Sequence, residues 1–171
     1  MDQLKQLIRD IPDFPKKGIL FRDITPLLSD GKAFRMVIDA IGDHFKDKKV
    51  DVVVGIEARG FIMGAALAYK LGAGVILIRK PGKLPYNTHK VIYELEYGTD
   101  SLEIHADAIQ PGQNILIADD LLATGGTVKA VTELVKKFDC RVVGLAFMIE
   151  LEFLKGRERL KDYEVFSLMK F

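Results

Sequence analysis

Ile115-Leu116-Ile117-Ala118 is the stretch that most limits how this chain can fold. Four apolar residues without polar alternation make a strand whose two faces both leave water, which places it inside a sheet covered by helices on either side. One such helix follows at once, because Val128, Val131, Val135 and Phe138 recur at helical spacing after Gly125-Gly126. The plan repeats along the chain. Val50 to Ile56 and Val75 to Ile78 read as buried strands, with a helix through Ala65, Ala68 and Leu71 between them. Arg141 to Ile149 reads as another buried strand and Tyr163 to Leu168 as the last. Before them, Phe34, Val37, Ile38, Ile41 and Phe45 form one stripe of a helix spanning Gly31 to Asp47. Alternating strands and helices imply an α/β fold, a doubly wound and mainly parallel sheet of about five strands flanked by helices. A chain of 171 residues, 49% hydrophobic, suits a single domain over residues 1–171.

The polar residues gather where those strands end. Asp119 and Asp120 stand at the carboxyl end of the central strand, where open α/β sheets hold ligands. In Ala123-Thr124-Gly125-Gly126-Thr127 the glycines let successive N–H groups face one concavity, and the helix behind adds its positive end. With the Thr124 and Thr127 hydroxyls as further donors, a phosphate fits there. Two carboxylates repel a phosphate but suit sugar hydroxyls, so the stretch reads as a cradle for ribose 5-phosphate. Alone, a Gly-Gly before a helix is commonly a turn, and an acidic pair at a strand end is commonly solvated or metal-bound. The ordered combination is what informs. Two other strand ends carry anion-compatible groups: Glu57-Ala58-Arg59-Gly60 at a strand-to-helix crossing, and Arg79-Lys80-Pro81-Gly82-Lys83, three cations around a Pro-Gly turn.

Elsewhere the chain is less explicit. Leu4, Leu7, Ile8 and Ile11 mark a short amphipathic helix stopped by Pro12. The segment 12–30, with a strand-like Ile19 to Ile24, is ambiguous, and on its residues alone reads by default as a cap on the core. Val91 to Tyr97 and Asp100 to Ala106 flank Gly98-Thr99 and read as an antiparallel hairpin, a natural lid for a centre that must exclude water. A net charge of +1 gives no bulk electrostatic case for nucleic acid or a membrane surface. The lone Cys140 rules out an intrachain disulfide and fits a reducing compartment. With neither a basic-then-apolar leader nor an apolar run of bilayer length, a cytoplasmic location is expected. Ser-His-Asp, zinc-spaced and Walker-type patterns are lacking, which disfavours covalent, zinc and ATPase chemistry.

Taken in order, these motifs resemble those of the type I phosphoribosyltransferases, whose signature for 5-phosphoribosyl-1-pyrophosphate (PRPP) is an acidic pair followed by Thr-Gly-Gly-Thr. Asp119-Asp120-Leu121-Leu122-Ala123-Thr124-Gly125-Gly126-Thr127 is most similar to the adenine-using branch, and the resemblance runs from about Ile11 to the C-terminus. It implies transfer of the 5-phosphoribosyl group from PRPP to adenine, giving AMP and pyrophosphate. It also implies Mg²⁺ held mainly by substrate and water, with no direct protein ligand, and a homodimer with the Arg59 region near its interface. Ala123, Thr124, Gly125, Gly126 and Thr127 would take the 5′-phosphate, Asp119 and Asp120 the ribose, and Arg59, Arg79, Lys80 and Lys83 the pyrophosphate. The 12–30 segment would be a hood in which Phe21 stacks on adenine opposite Leu151, while the Leu20 and Arg22 backbone reads its edge. In the lid, about 80–106, Glu96 would manage a proton near adenine N7 and Tyr97 would shield the site. Family members often carry a cis peptide in the loop matching Glu57-Ala58-Arg59. Two rivals remain: a phosphoribosyltransferase for another purine, and a non-enzymatic PRPP or nucleotide sensor on the same fold. The sensor needs a DNA- or partner-binding surface that the near-neutral charge does not supply.

Overall fold

The computed structural model describes residues 2–94 and 98–171. The chain starts with a single helical turn, α1 (Asp2–Lys5), and then a strand β1 (Arg9–Pro12). The expected helix through Ile11 therefore stops early. Eight residues are too few to nucleate a helix without tertiary help, and Arg9 to Pro12 instead pair antiparallel with β2 (Leu20–Asp23), Ile11 opposite Phe21. Asp23 accepts from both the N–H and the hydroxyl of Thr25, each at 2.9 Å, and so fixes the start of α2 (Thr25–Ser29). Asp30 then caps α3 (Gly31–Phe45), its carboxylate accepting from the Lys32 and Ala33 N–H groups.

The sheet begins with β3 (Val52–Ile56), continues through α4 (Gly60–Leu71) to β4 (Gly74–Ile78), and leaves it for a separate hairpin of β5 (Thr88–Glu94) and β6 (Thr99–His105). It resumes with β7 (Asn114–Leu122), α5 (Gly126–Val135), β8 (Arg141–Glu150) and β9 (Val165–Lys170). Its five strands run in the order β4-β3-β7-β8-β9, every neighbouring pair parallel. The expected α/β architecture of about five strands is thus observed. From β3 the chain winds outward to β4, and from β7 the other way to β8 and β9. The crevice between β3 and β7 is consequently the topological switch point, where open α/β sheets bind ligands.

β7 explains why both faces need cover. Leu116 and Ala118 belong to a core shared with α3 and α4, whereas Ile115 and Ile117 belong to one shared with α5 and β6. β4 departs from expectation: Val75 is 43% and Leu77 39% exposed. An edge strand has only one neighbour, and here its apolar residues lack a second covering layer. The hairpin is held to β4's extension by paired Arg79 and Glu103 backbone hydrogen bonds of 2.9 and 2.8 Å. That bridge brings the hairpin over the carboxyl ends of the strands. Among the described residues, no helix is long and apolar enough to cross a membrane.

Candidate active site

A cavity of about 350 Å³ opens at the switch point, between the ends of β3, β4 and β7 and beneath the β5–β6 hairpin. Its lining includes Arg59, Lys80, Asp119, Asp120 and Thr127, drawn from all three strand ends singled out in the sequence. Asp119 and Asp120 stand at the carboxyl end of β7 as expected, still inside its ladder, since pairing with β8 continues to Leu122. Fixing them in a ladder gives both carboxylates a rigid base. Gly60, the first residue of α4, passes so close that a Cβ there would stand 2.7 Å from Asp119 Oδ1. Only glycine lets α4 start at this point and set Arg59 beside the acidic pair.

Burial and the neighbouring Asp120 charge push the Asp119 carboxyl well above the usual carboxylate range. Asp120 is raised as well, by burial, with Arg59 opposing. Arg59 Nε stands 2.8 Å from Asp120 Oδ2, yet its N–H is not aimed at that oxygen, which is buried without a hydrogen-bond donor. The pair is therefore an ion contact of poor alignment, and it leaves a buried acceptor without a donor on a residue that lines the cavity. Sugar hydroxyls are neutral donors suited to such oxygens.

The Glu57–Ala58 peptide is cis. Glu57 itself accepts from the Lys80 N–H at 2.8 Å and from Arg79 Nε at 3.3 Å, contacts that hold its carboxyl below the usual range. The loops after β3 and β4 are in this way locked to each other. Arg79 also donates to the Lys83 carbonyl, and neither it nor Lys83 lines the cavity. Lys80 does, and its ammonium pairs with Asp100 of β6, which also accepts from the Tyr93 hydroxyl at 3.2 Å. Sequence reasoning passed over Tyr93, Asp100 and Glu57. The first two stand directly opposite in the hairpin, but their approach to Lys80 depends on how the hairpin docks.

Next to the cavity, Ala123 to Thr127 line a smaller recess of about 80 Å³. Gly125 takes φ +79°, a left-handed value that turns the chain into α5 and leaves the helix's first N–H groups facing the recess. Toward the hood, Phe21 packs edge-on against Phe14 at 5.2 Å and lies 5.2 Å from the Arg59 guanidinium. Leu20 is exposed. The Arg22 side chain turns away, pairing with Asp10 and covering Phe171 at 4.4 Å. Leu151 is buried in the α3–α4 core, its N–H bonded to the Leu122 carbonyl at 2.9 Å, and neither it nor Phe21 lines the cavity. Glu96 and Tyr97 lie outside the described residues. Among the described residues, no three His, Cys, Asp or Glu side chains converge as a metal cage.

Comparison with known proteins points the same way as this geometry. The phosphoribosyl transferase domain family matches residues 25–170. The adenine phosphoribosyltransferase of Syntrophotalea carbinolica is 63% identical over 171 residues, 100% of both chains. Among solved structures, the adenine phosphoribosyltransferase of Thermoanaerobacter pseudethanolicus superposes with a TM-score of 0.96 at 53% identity, covering 99% of each chain. That of Saccharomyces cerevisiae, complexed with an imino-altritol bisphosphate and adenine, gives 0.93 at 42% identity, covering 98% of this chain and 97% of the other.

Proposed function

The chain belongs to the phosphoribosyl transferase family and, within it, to the adenine phosphoribosyltransferases, and from that premise we propose how its residues perform the reaction. It transfers the 5-phosphoribosyl group from PRPP to adenine, giving AMP and pyrophosphate. The observation that carries the residue assignment is the meeting of Arg59, Lys80, Asp119, Asp120 and Thr127 in one cavity beside the Ala123–Thr127 recess.

The recess holds the 5′-phosphate through N–H groups at the start of α5 and the Thr124 and Thr127 hydroxyls. Asp119 and Asp120 accept from the ribose hydroxyls. The ring gains positive charge as the pyrophosphate leaves, and that charge favours the ionised form of both carboxylates. Arg59 and Lys80 stabilise the departing pyrophosphate, with Lys83 and Arg79 at the rim; losing one such partner typically costs ~10²–10³ in rate. Phe21 and Leu151 flank the base, the Leu20 and Arg22 backbone reads its edge, Glu96 handles a proton at N7, and Tyr97 shields the site. Residues 12–30 serve as hood and about 80–106 as lid of one catalytic unit spanning 1–171.

The donor set suits Mg²⁺ carried in with the substrate: no three acidic, His or Cys side chains among the described residues converge to cage an ion, so substrate oxygens and water would supply most ligands. When bound, the ion neutralises pyrophosphate charge. For assembly we propose a homodimer. Ile62 and Tyr69 on α4, the latter 92% exposed, and Val75 and Leu77 on the edge strand are uncovered apolar groups, Ile62 lying one turn from Arg59. The free thiol of Cys140 supports a cytoplasmic setting. Replacing Asp119 and Asp120 together by Asn should nearly abolish AMP formation while circular dichroism stays native. Near-normal turnover would sink the ribose assignment.

A further inference from the structure

The 3-10 turn Gly156–Leu160 packs against the loop that forms the phosphate recess. Backbone meets backbone here. A Cβ on Gly125 would stand 2.5 Å from the Gly156 carbonyl oxygen, and one on Gly156 would collide with the Ala123 carbonyl. Arg157 sets the position of this turn. Its Nε and Nη2 donate to the two oxygens of Glu150 at 3.0 and 2.5 Å, and its Nη1 to the Val165 carbonyl at 2.7 Å. Nη2 also reaches Ser167 Oγ at 3.3 Å. Glu150 is almost fully buried, so the forked pair ties the turn to the ends of β8 and β9.

Arg159, two residues on, is differently placed. Its Nη1 and the Thr124 hydroxyl oxygen both stand 3.8 Å from the position a Cβ on Gly126 would occupy. The guanidinium thus borders the space above the first residue of α5. It is exposed and has no carboxylate within ion-pair distance among the described residues. Nor does it line the cavity that contains Arg59 and Lys80.

We infer that Arg159 is a ligand of the 5′-phosphate, beyond the Ala123–Thr127 loop, and that Arg157 is the residue that positions it. The inference rests on the 5′-phosphate assignment made above. A phosphate monoester carries about −1.5 to −2 charges near neutrality, whereas a helix start offers only about half a positive charge. Hydroxyl and N–H donors are neutral, and Asp119 and Asp120 add negative charge close by. A guanidinium offers the missing cation, and its planar donors match phosphate oxygens.

Calorimetric titration of the whole protein with ribose 5-phosphate, and separately with Mg²⁺-pyrophosphate, tests the assignment. Arg159→Gln should weaken ribose 5-phosphate binding about tenfold, one charge-assisted hydrogen bond's worth, leave pyrophosphate binding within about twofold, and leave the melting temperature unchanged. Arg159→Lys should recover part of the loss. Arg157→Gln should also weaken ribose 5-phosphate, but should add little in the Arg159→Gln background, because the two residues act as a unit. Equal ribose 5-phosphate affinity in wild type and Arg159→Gln overturns the role of Arg159, as does an equal loss for both ligands. Fully additive losses overturn the positioning role of Arg157. A wild-type protein that binds pyrophosphate but not ribose 5-phosphate instead overturns the phosphate recess itself.

Discussion

Asp119→Asn should make the ligand-free protein more stable while nearly abolishing turnover. The wild-type carboxyl is buried beside a second buried carboxylate, and both circumstances raise its pKa well above normal. An Asn side chain keeps an oxygen for the Asp120 N–H, which donates to Oδ1 at 2.9 Å, and removes the charge. In the unfolded chain an aspartate ionises near pH 3.9, roughly; in the folded protein Asp119 ionises higher, so the folded state binds the proton more tightly. Wild-type stability from this group is therefore full below about pH 4 and declines as pH rises toward the folded pKa. The variant should therefore be more stable at pH 8 by about 1–3 kcal/mol, the usual scale for a buried polar group held without full compensation. Scanning calorimetry of both proteins from pH 4 to 8 measures it: the gap should start near zero and widen with pH. Saturating PRPP and Mg²⁺ should reverse the order, since the wild type gains more from the ligand. A variant less stable than wild type at pH 8, or a gap indifferent to pH, would refute the reasoning.

Other perturbations follow from the same contacts. Asp100→Asn releases Lys80 from the hairpin and should lower the KM for PRPP about two- to fivefold, the scale of a partly exposed ion pair; a higher KM would show the contact assists binding. Gly60→Ala forces a methyl into Asp119 Oδ1 and should destabilise by about 1–3 kcal/mol and cut kcat sharply, whereas unchanged kinetics would mean the carboxylate moves aside freely. Glu150→Ala strips a buried partner from Arg157 and should cost about 3 kcal/mol in chemical denaturation near neutral pH. Arg157 holds the Glu150 carboxyl below its usual range, so that difference should persist down to about pH 4 and shrink only below it. Glu96→Gln should lower kcat by about 10² while PRPP affinity stays near wild type; a variant impaired only in PRPP binding would contradict its assignment to the base.

Legibility in the sequence tracked how local each feature is. The Ile115 to Thr127 stretch was readable because strand, carboxylates, glycine turn and helix start are consecutive, and the order of βα units determined which edge they share. Arg59 and Lys80 were found for the same reason: each directly follows a strand. Arg9 to Ile11 reads as helix from periodicity but is strand, because its partner, Leu20 to Asp23, lies across a loop that periodicity does not see. The exposure of Val75 and Leu77 depends on sheet order, which a strand's own composition does not encode. Asp100 reaches Lys80 only through the Arg79–Glu103 bridge. Gly60 and Gly156 matter through close backbone approach, so their significance appears only once two distant segments touch.

The central claim is that this site joins the phosphoribosyl group of PRPP to adenine. Purified protein with Mg²⁺ and PRPP, offered adenine, hypoxanthine and guanine separately, tests it most directly. Chromatography should show AMP and pyrophosphate in equal amounts with adenine, and little nucleotide with either 6-oxo purine. Turnover of hypoxanthine or guanine but not adenine would contradict the base assignment, and no nucleotide from any base would contradict the reaction.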